Sequence, residues 1–338
     1  DNIDVTKITP INIVVGAVDY SNQINKSVKL EAGWKSSFTW FNNNVGVSYF
    51  ESGKWNSDPD LTNDYSLAEN IQAAYSSLSY NISEKISIIG GLRYEYLNSV
   101  LDSKTEKGIV DLHYGELFPS FFFTGKPNKN HTFNVSVNRR IDRPTFNELA
   151  PFILFVTPET CLSGNENLLP ATSMVYKPEY QLRKYLFSFT YTQTKNAIAR
   201  VQPSSGSDPT KQYFISRNFD RAETLQGMFA FPLVLTKWWS TQNNFSVIYR
   251  GTATNYDGID VDIKNRSFRV NMINSFKLSK LVTAEISGFY QSSSANGIAV
   301  SKPLGRVDIG LQKKFKNENS RLNLNLRLRL YHQHKCRR

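Results

Sequence analysis

Arginine is the residue type whose spacing in this chain most invites chemistry. Arg139, Arg140 and Arg143 lie close together, interleaved with Asp142 and followed by Pro144. A planar guanidinium fork suits a carboxylate or the oxygens of a phosphate. Two readings follow. The block either meets an anionic surface or solute, or pairs with Asp142 to organise a segment stiffened by Pro144 and Pro151. Downstream, Phe152, Ile153, Leu154, Phe155 and Val156 make an apolar run inside a polar segment. Such a run must pack on something. Gly164-Asn165 permits a turn beyond it.

Other combinations are weaker. Asp257, Asp260 and Asp262 offer hard oxygens for calcium, but their spacing does not follow an EF-hand loop, and a solvated loop is expected. His332, His334 and Cys336 fall in a basic tail, residues 332–338. The chain's 4 His pair with no plausible Ser or Cys nucleophile, and Glu95 and Glu285 stand alone on their strands. No catalytic triad, carboxylate dyad or Gly-rich phosphate loop emerges, so no enzyme, cofactor or metal site is expected. Two cysteines, Cys161 and Cys336, are too few for a disulfide framework. Forty Lys+Arg against 29 Asp+Glu give +11, which raises nucleic acid as a partner. The basic residues are dispersed over turns and strands, and nucleic acid is not expected.

The elements that position these residues follow from a period of two. In Arg321 to Leu330 every even position is Leu and every odd one is Asn or Arg. At helical spacing those leucines would smear around the whole circumference, so this is a strand. Tyr185, Phe187, Phe189 and Tyr191 alternate with Ser188, Thr190 and Thr192 in the same way, as do Phe133, Val135 and Val137 with Asn134, Ser136 and Asn138. Weaker copies run through Val28–Trp34, Phe245–Tyr249, Phe268–Met272 and Val307–Leu311. No segment approaches the ~18 apolar residues of a membrane-spanning helix. Phe, Tyr and Trp at 13% of the chain argue against disorder.

Short polar turns are read at Asn25-Lys26, Ser83-Glu84, Pro127-Asn128-Lys129, Arg183-Lys184, Thr236-Lys237, Ser279-Lys280 and Asn317-Glu318-Asn319. They alternate with long loops at 42–64, 98–111, 142–170, 200–212, 252–264 and 293–303. That two-sided rule predicts an all-β, antiparallel up-and-down transmembrane barrel with about 14 strands present, its short turns periplasmic and its long loops outside. A soluble β-sandwich also alternates, but its strands are shorter and its loops obey no such rule. Closure is required because each unpaired backbone group in hydrocarbon costs several kcal/mol. Trp238-Trp239, Tyr80, Tyr185 and Phe315 near the turns, and Trp34, Trp40 and Phe41 toward the loops, read as interfacial girdles.

In this frame Arg139 shares the outward phase of Phe133, Val135 and Val137, at headgroup height, where lipopolysaccharide phosphate is its expected partner. Arg140 and Arg143 face the lumen or the base of the loop. Loop 142–170 either folds into the lumen or meets substrate or an extracellular lid protein. The N-terminus, Asp1 to Val5, carries no targeting signal.

The run Val137-Asn138-Arg139-Arg140-Ile141-Asp142-Arg143-Pro144-Thr145-Phe146-Asn147-Glu148-Leu149-Ala150-Pro151-Phe152 resembles a motif of TonB-dependent receptors, nearest to the outer-membrane β-barrel family of Bacteroidota. Thr157-Pro158-Glu159-Thr160, Gly164-Asn165-Glu166-Asn167-Leu168-Leu169-Pro170, Gly91-Leu92-Arg93-Tyr94-Glu95-Tyr96 and Leu117-Phe118-Pro119-Ser120 are similar to that family's segments. The resemblance covers essentially the whole chain. It implies a barrel of about 22 strands filled by an N-terminal plug. It also implies opening by TonB, with import of a scarce metal chelate, oligosaccharide or peptide, and an extracellular substrate-binding lipoprotein as a partner. The chain departs from that pattern. It shows no plug or TonB-contacting box, has fewer strands, and ends on a basic tail. Residues 1–331 are therefore expected to be an incomplete barrel region, cut or frameshifted, and 332–338 an anomalous tail.

Overall fold

The computed structural model describes residues 2–58, 62–157, 159–204, 211–256, 258–315 and 320–331. Strands come in chain order as β1 (Asn2–Ile8), β2 (Ile11–Gln23), β3 (Val28–Glu51), β4 (Lys54–Ser57), β5 (Asn63–Ser83), β6 (Ile86–Ser103), β7 (Val110–Asn128) and β8 (His131–Asp142). A single-turn helix, α1 (Phe146–Leu149), is followed by β9 (Ile153–Thr157), β10 (Thr160–Ser163), β11 (Ala171–Leu182), β12 (Tyr185–Ser204), β13 (Gln212–Val234) and β14 (Trp239–Tyr256). The chain finishes with β15 (Ile259–Lys277), β16 (Val282–Gln291), β17 (Ser294–Asn296), β18 (Ala299–Ser301), β19 (Leu304–Lys314) and β20 (Arg321–Tyr331). Among the described residues, fourteen strands have ten or more residues, which agrees with the expected number, and six are shorter. Strand neighbours run antiparallel, apart from a three-residue parallel pairing of β10 with the start of β13.

Six of the predicted short turns are present, and side chains hold five of them. The Asn25 carboxamide accepts the Ser27 and Val28 N–H groups at 2.8 and 2.9 Å. Ser83, Asn128, Thr236 and Ser279 do the same at their own turns. These are Asx- and Ser/Thr-turns, in which the short polar side chain takes the place of a backbone acceptor. Arg183 lies in the left-handed region at φ 54°. The seventh turn, Asn317-Glu318-Asn319, lies outside the described residues, as do Asp257 and the tail 332–338.

The long loops are shorter than expected, because strand pairing continues past the first polar residues. β3 runs on to Glu51, with Asn42, Asn43 and Asn44 paired to Ser66, Tyr65 and Asp64. Strands β14 and β15 pair out to Tyr256 and Ile259, so the predicted loop 252–264 is a tight hairpin. Within 293–303, β17 and β18 form a small hairpin of their own. Backbone ladders need no apolar side chains, so asparagine runs signal a change of surroundings and not the end of a strand.

The chain forms two compact units. In the first (1–122, 138–174 and 195–219), β1 and β2 pair with β3 in one uninterrupted register, Ile8 opposite Asn44 and Ile11 opposite Phe41. Only Thr9-Pro10 separates them, where proline removes a ladder donor without shifting the pairing. β3 then pairs with β5, and β5 with β6. Its 24 residues reach roughly 80 Å at about 3.3 Å each, far more than a tilted crossing of ~25 Å needs.

Along β3 the two faces exchange character. Near the short turn one face carries exposed Trp34, Phe38 and Trp40, and the other Lys35, Ser37 and Thr39. From Phe41 onward the second face becomes apolar, with Phe41, Val45 and Val47 buried, while the first becomes Asn42, Asn44 and Ser48. β6 exchanges in the same way between exposed Tyr96 and buried Leu97. Phe41 is therefore a core residue and not part of an interfacial girdle, since alternation sets it opposite Trp40.

The second unit (123–137, 175–194 and 220–338) contains the hairpin series β14, β15, β16, β19 and β20 in sequential antiparallel register. On one face Leu324, Leu326 and Leu328 lie opposite Leu311, Ile309 and Val307. The leucines are exposed, as are Phe245, Val247 and Phe268 on neighbouring positions of that face. Phe187, Phe229 and Phe231 stack in a row at 4.5 and 4.7 Å. A face this apolar needs a hydrocarbon neighbour. The opposite face carries Asn323, Asn325, Arg327 and Asp308, so the phase read from the leucine repeat holds.

Candidate functional site

The arginine block straddles the end of β8, with Arg139 and Arg140 on the strand and Arg143 in the segment that joins it to β11, and the contacts of that segment lie within the first unit. β8 ends at Asp142, and Pro144, without an N–H, stops the ladder. Thr145 caps α1: the Glu148 carboxylate reaches back to accept the Thr145 N–H at 2.8 Å and its hydroxyl at 2.9 Å. This is the reciprocal half of a capping box, with the T-x-x-E spacing visible in the sequence.

Part of the segment's apolar content is folded onto the sheet face that carries Phe41, Leu67 and Leu101. Leu149, Ala150, Phe152 and Leu168 are buried together with Phe41, Tyr65, Leu67, Leu101 and Val110. Phe146 meets Phe41 edge-on at 4.9 Å, and Phe152 meets Tyr65 at 5.9 Å. Lys7 of β1 covers Phe152 at 4.7 Å and donates to Asn147 at 2.6 Å. Among the described residues this is the cluster of buried apolar side chains that most resembles a soluble core. β9 continues the segment, with the Phe155 backbone paired to Cys161 and Val156 exposed; the side chains of Leu154 and Phe155 lie outside the described residues.

Ion pairs fasten the segment. Arg200 on β12 donates from Nε to Glu148 Oε1 at 2.6 Å, and from both Nη atoms to Asp142 at 3.1 Å. Ser216 adds a bond to the same Glu148 oxygen at 3.3 Å. Burial disfavours the Glu148 charge, but the two Thr145 donors and Arg200 outweigh it and hold the carboxyl below its usual range. The Asn165 N–H reaches the Glu148 carbonyl at 2.6 Å, and its side chain reaches the Ser216 carbonyl at 3.0 Å. Gly164 lies so close to α1's end that a Cβ there would stand 2.0 Å from the Ala150 carbonyl oxygen. Asn218 closes the far side, accepting from the Leu169 N–H at 2.7 Å and donating to its carbonyl at 2.8 Å.

The arginines of the block part company. Arg143 bridges Glu95 Oε2 at 2.5 Å and the Tyr114 hydroxyl at 3.0 Å, while Arg93 holds the other Glu95 oxygen at 2.7 Å. Burial works against the Arg143 charge, and Glu95 and Tyr114 more than compensate, holding its pKa above the ordinary value. Arg139 pairs with Glu116 at 2.7 Å, donates to the Leu117 carbonyl at 2.9 Å and leans over buried Phe118. Arg140 is exposed and bonds the Asn138 side chain at 2.8 Å. Asp142 thus finds its guanidinium on Arg200, not inside the block.

The structure therefore brings Asp142, Phe152, Gly164 and Asn165 into one assembly with Glu148 and Arg200, and takes Arg143 to Glu95. Sequence reasoning missed Arg200, Ser216, Asn218 and the role of Glu95. Their pairings span separations as wide as 68 residues, which leave no local trace. No group of three or more His, Cys, Asp or Glu able to hold a metal occurs among the described residues. Asp260 accepts from Asn255 at 2.8 Å and Asp262 pairs with Lys264 at 2.7 Å, so the acidic hairpin is occupied by its own neighbours. Chemically, the assembly is a latch of carboxylates, guanidiniums and carboxamides that pins a peptide segment to a wall.

No curated protein matches the chain. Among solved structures it is similar to the copper transporter OprC, with a TM-score of 0.68 at 12% identity over 95% of this chain and 51% of that one. It is likewise similar to the ferric-catecholate import receptor Fiu of E. coli K12, with a TM-score of 0.63 at 12% identity over 94% and 50%. A third is the ferric yersiniabactin uptake receptor FyuA of Yersinia pestis, with a TM-score of 0.63 at 12% identity over 97% and 56%. The chain spans about half the length of these proteins. At that identity the likeness is one of fold. The family model described as outer membrane protein beta-barrel family matches residues 3–328, nearly the entire chain. With two-faced antiparallel strands along nearly its whole length, the chain is a β-barrel protein of the bacterial outer membrane and belongs to that family.

Proposed function

We propose that the chain is the barrel portion of a TonB-dependent outer-membrane receptor that imports a scarce nutrient such as a metal chelate, an oligosaccharide or a peptide. The observation that carries this reading is the latch. The segment 145–169 is fastened to the sheet by Arg200, Glu148, Asp142 and Asn165, which fixes a shaped surface against which a solute could be held. Likeness of fold to a copper transporter, a ferric-catecholate import receptor and a ferric yersiniabactin uptake receptor supports the same reading. Energy would arrive through TonB acting on an N-terminal plug, and an extracellular substrate-binding lipoprotein would stand over the long-loop end. Bacteroidota are the expected source, on the resemblance of the 137–152 run.

The test is uptake by cells that express the complete gene. Growth on a limiting nutrient should fail when the gene is deleted, and also when TonB is removed with the gene intact. Uptake that continues without TonB, together with steady ion conductance of the purified protein in planar bilayers, would establish the alternative, a passive channel or structural barrel.

A further inference from the structure

The polar face of β15, β16, β19 and β20 carries a surplus of guanidinium groups that the latch does not use. Register sets Arg269 opposite Gln291, Phe289 opposite Arg306, and Asp308 opposite Arg327. The three arginines therefore occupy successive rows of one face, opposite the one that bears Val307, Ile309 and the β20 leucines. Phe289, on the strand between them, is approached by Arg269 at 5.1 Å and by Arg306 at 5.6 Å from its ring centre. An aromatic face holds a guanidinium in place without neutralising it.

Among the described side chains a single carboxylate serves this group. Asp308 accepts a hydrogen bond from Arg327 Nε at 2.9 Å on one oxygen, and its other oxygen lies 2.7 Å from Arg306 Nε as an ion pair without hydrogen-bond geometry. Arg269 is exposed and donates to a neutral carboxamide, Asn271, at 3.2 Å. Among the described side chains, three positive groups and one negative leave +2 on a few strand widths of surface. Arg306 and Arg327 side chains remain 40% and 60% exposed, so their unused N–H donors are available.

We infer that this patch is a binding site for a soluble polycarboxylate. Asp308 shows that this face draws a carboxylate between arginines of two adjacent strands, one hydrogen-bonded to it and one ion-paired with it. Arg269 and the outer donors of Arg306 and Arg327 offer the same pairing to further carboxylates brought by a ligand. Phe289 keeps two of the three guanidiniums in position, so little side-chain freedom is lost on binding. The inference concerns binding alone and stands apart from energy-coupled uptake.

Isothermal titration of the purified full chain in detergent with citrate at low salt tests it. Citrate should bind, and Arg269→Gln should weaken the affinity about tenfold or more, the loss of one charge-assisted pair. Phe289→Leu, which keeps every charge, should weaken it severalfold and covers the case in which Arg269→Gln fails to assemble. Lys277→Gln removes the same charge elsewhere on this face and should leave citrate affinity unchanged. Absence of citrate binding would overturn the inference. So would equal losses from Lys277→Gln and Arg269→Gln, which would show a diffuse field, or inorganic phosphate binding as tightly as citrate, which would show a site blind to carboxylates.

Discussion

Replacing Arg200 by glutamine removes three ionic hydrogen bonds from the latch, and their environments decide how much each matters. The Asp142 side chain is 55% exposed and Arg200 43%, so that bidentate pair is worth under about 1 kcal/mol. Glu148 is different: its side chain is only 13% exposed, and without Arg200 it keeps just the Thr145 and Ser216 donors around a carboxylate shielded from water. Leaving a shielded polar group short of a partner costs about 1–3 kcal/mol. We expect Arg200→Gln to loosen the segment by about 2 kcal/mol, and Asp142→Asn by less than about 1 kcal/mol. When opening is fast relative to cutting, protease cleavage within 150–169 follows the open population, so Arg200→Gln should accelerate it about thirtyfold. Asp142→Asn should accelerate it by less than about fivefold. The assay is limited proteolysis of the folded protein in micelles, with heat-modifiable gel migration as the check on the barrel. Equal acceleration by the two variants, or none by Arg200→Gln, would refute the assignment of the energy to Glu148.

Three further outcomes are expected. Leu326→Arg places a charge on the hydrocarbon side at a cost of ~2–4 kcal/mol and should block membrane assembly, whereas Asn325→Arg, on the polar face, should assemble; equal yields of heat-modifiable protein would contradict the phase. Gly164→Ala should loosen the latch by about 1–3 kcal/mol, because the atoms in the way are backbone of Ala150, and cleavage of the segment should accelerate accordingly. The Glu148 carboxyl is held below its unfolded value of about 4.3, so its contribution is present above that value and is lost as pH falls through the folded one. Amide exchange in 145–169 should thus accelerate on acidification below about pH 4 in the parent, beyond the intrinsic pH dependence, and Glu148→Gln should abolish that step; loosening that began as pH rose would contradict the sign.

Much of the fold was legible because its driving pattern is local. The leucine comb of β20 and the turns at Asn25, Thr236 and Ser279 need nothing beyond the residues beside them. Strand ends were less legible: Asn42-Asn43-Asn44 reads as loop, yet its backbone pairs as well as any apolar stretch. Of the site, the position of the latch could be read from Pro144, the apolar run and Gly164, and the T-x-x-E spacing could have placed α1. Its partners could not. Arg143 finds Glu95 from 48 residues away, and nothing near either residue announces the other. Arg139 illustrates the limit of phase reasoning, since a long side chain with Glu116 and Phe118 within reach settles on them.

The exchange of faces between Trp40 and Phe41 divides the same strands into two regimes of mutational tolerance. Below it, a barrel wall must keep grease outside, and insertion polices each substitution. Above it, the rules are those of an ordinary water-soluble domain, with a small core of Phe41, Val47, Leu101 and Phe152 and a hydrophilic exterior. Sequence drift or grafting in that upper storey can reshape whatever the protein presents to its surroundings while the machinery of bilayer entry goes untouched.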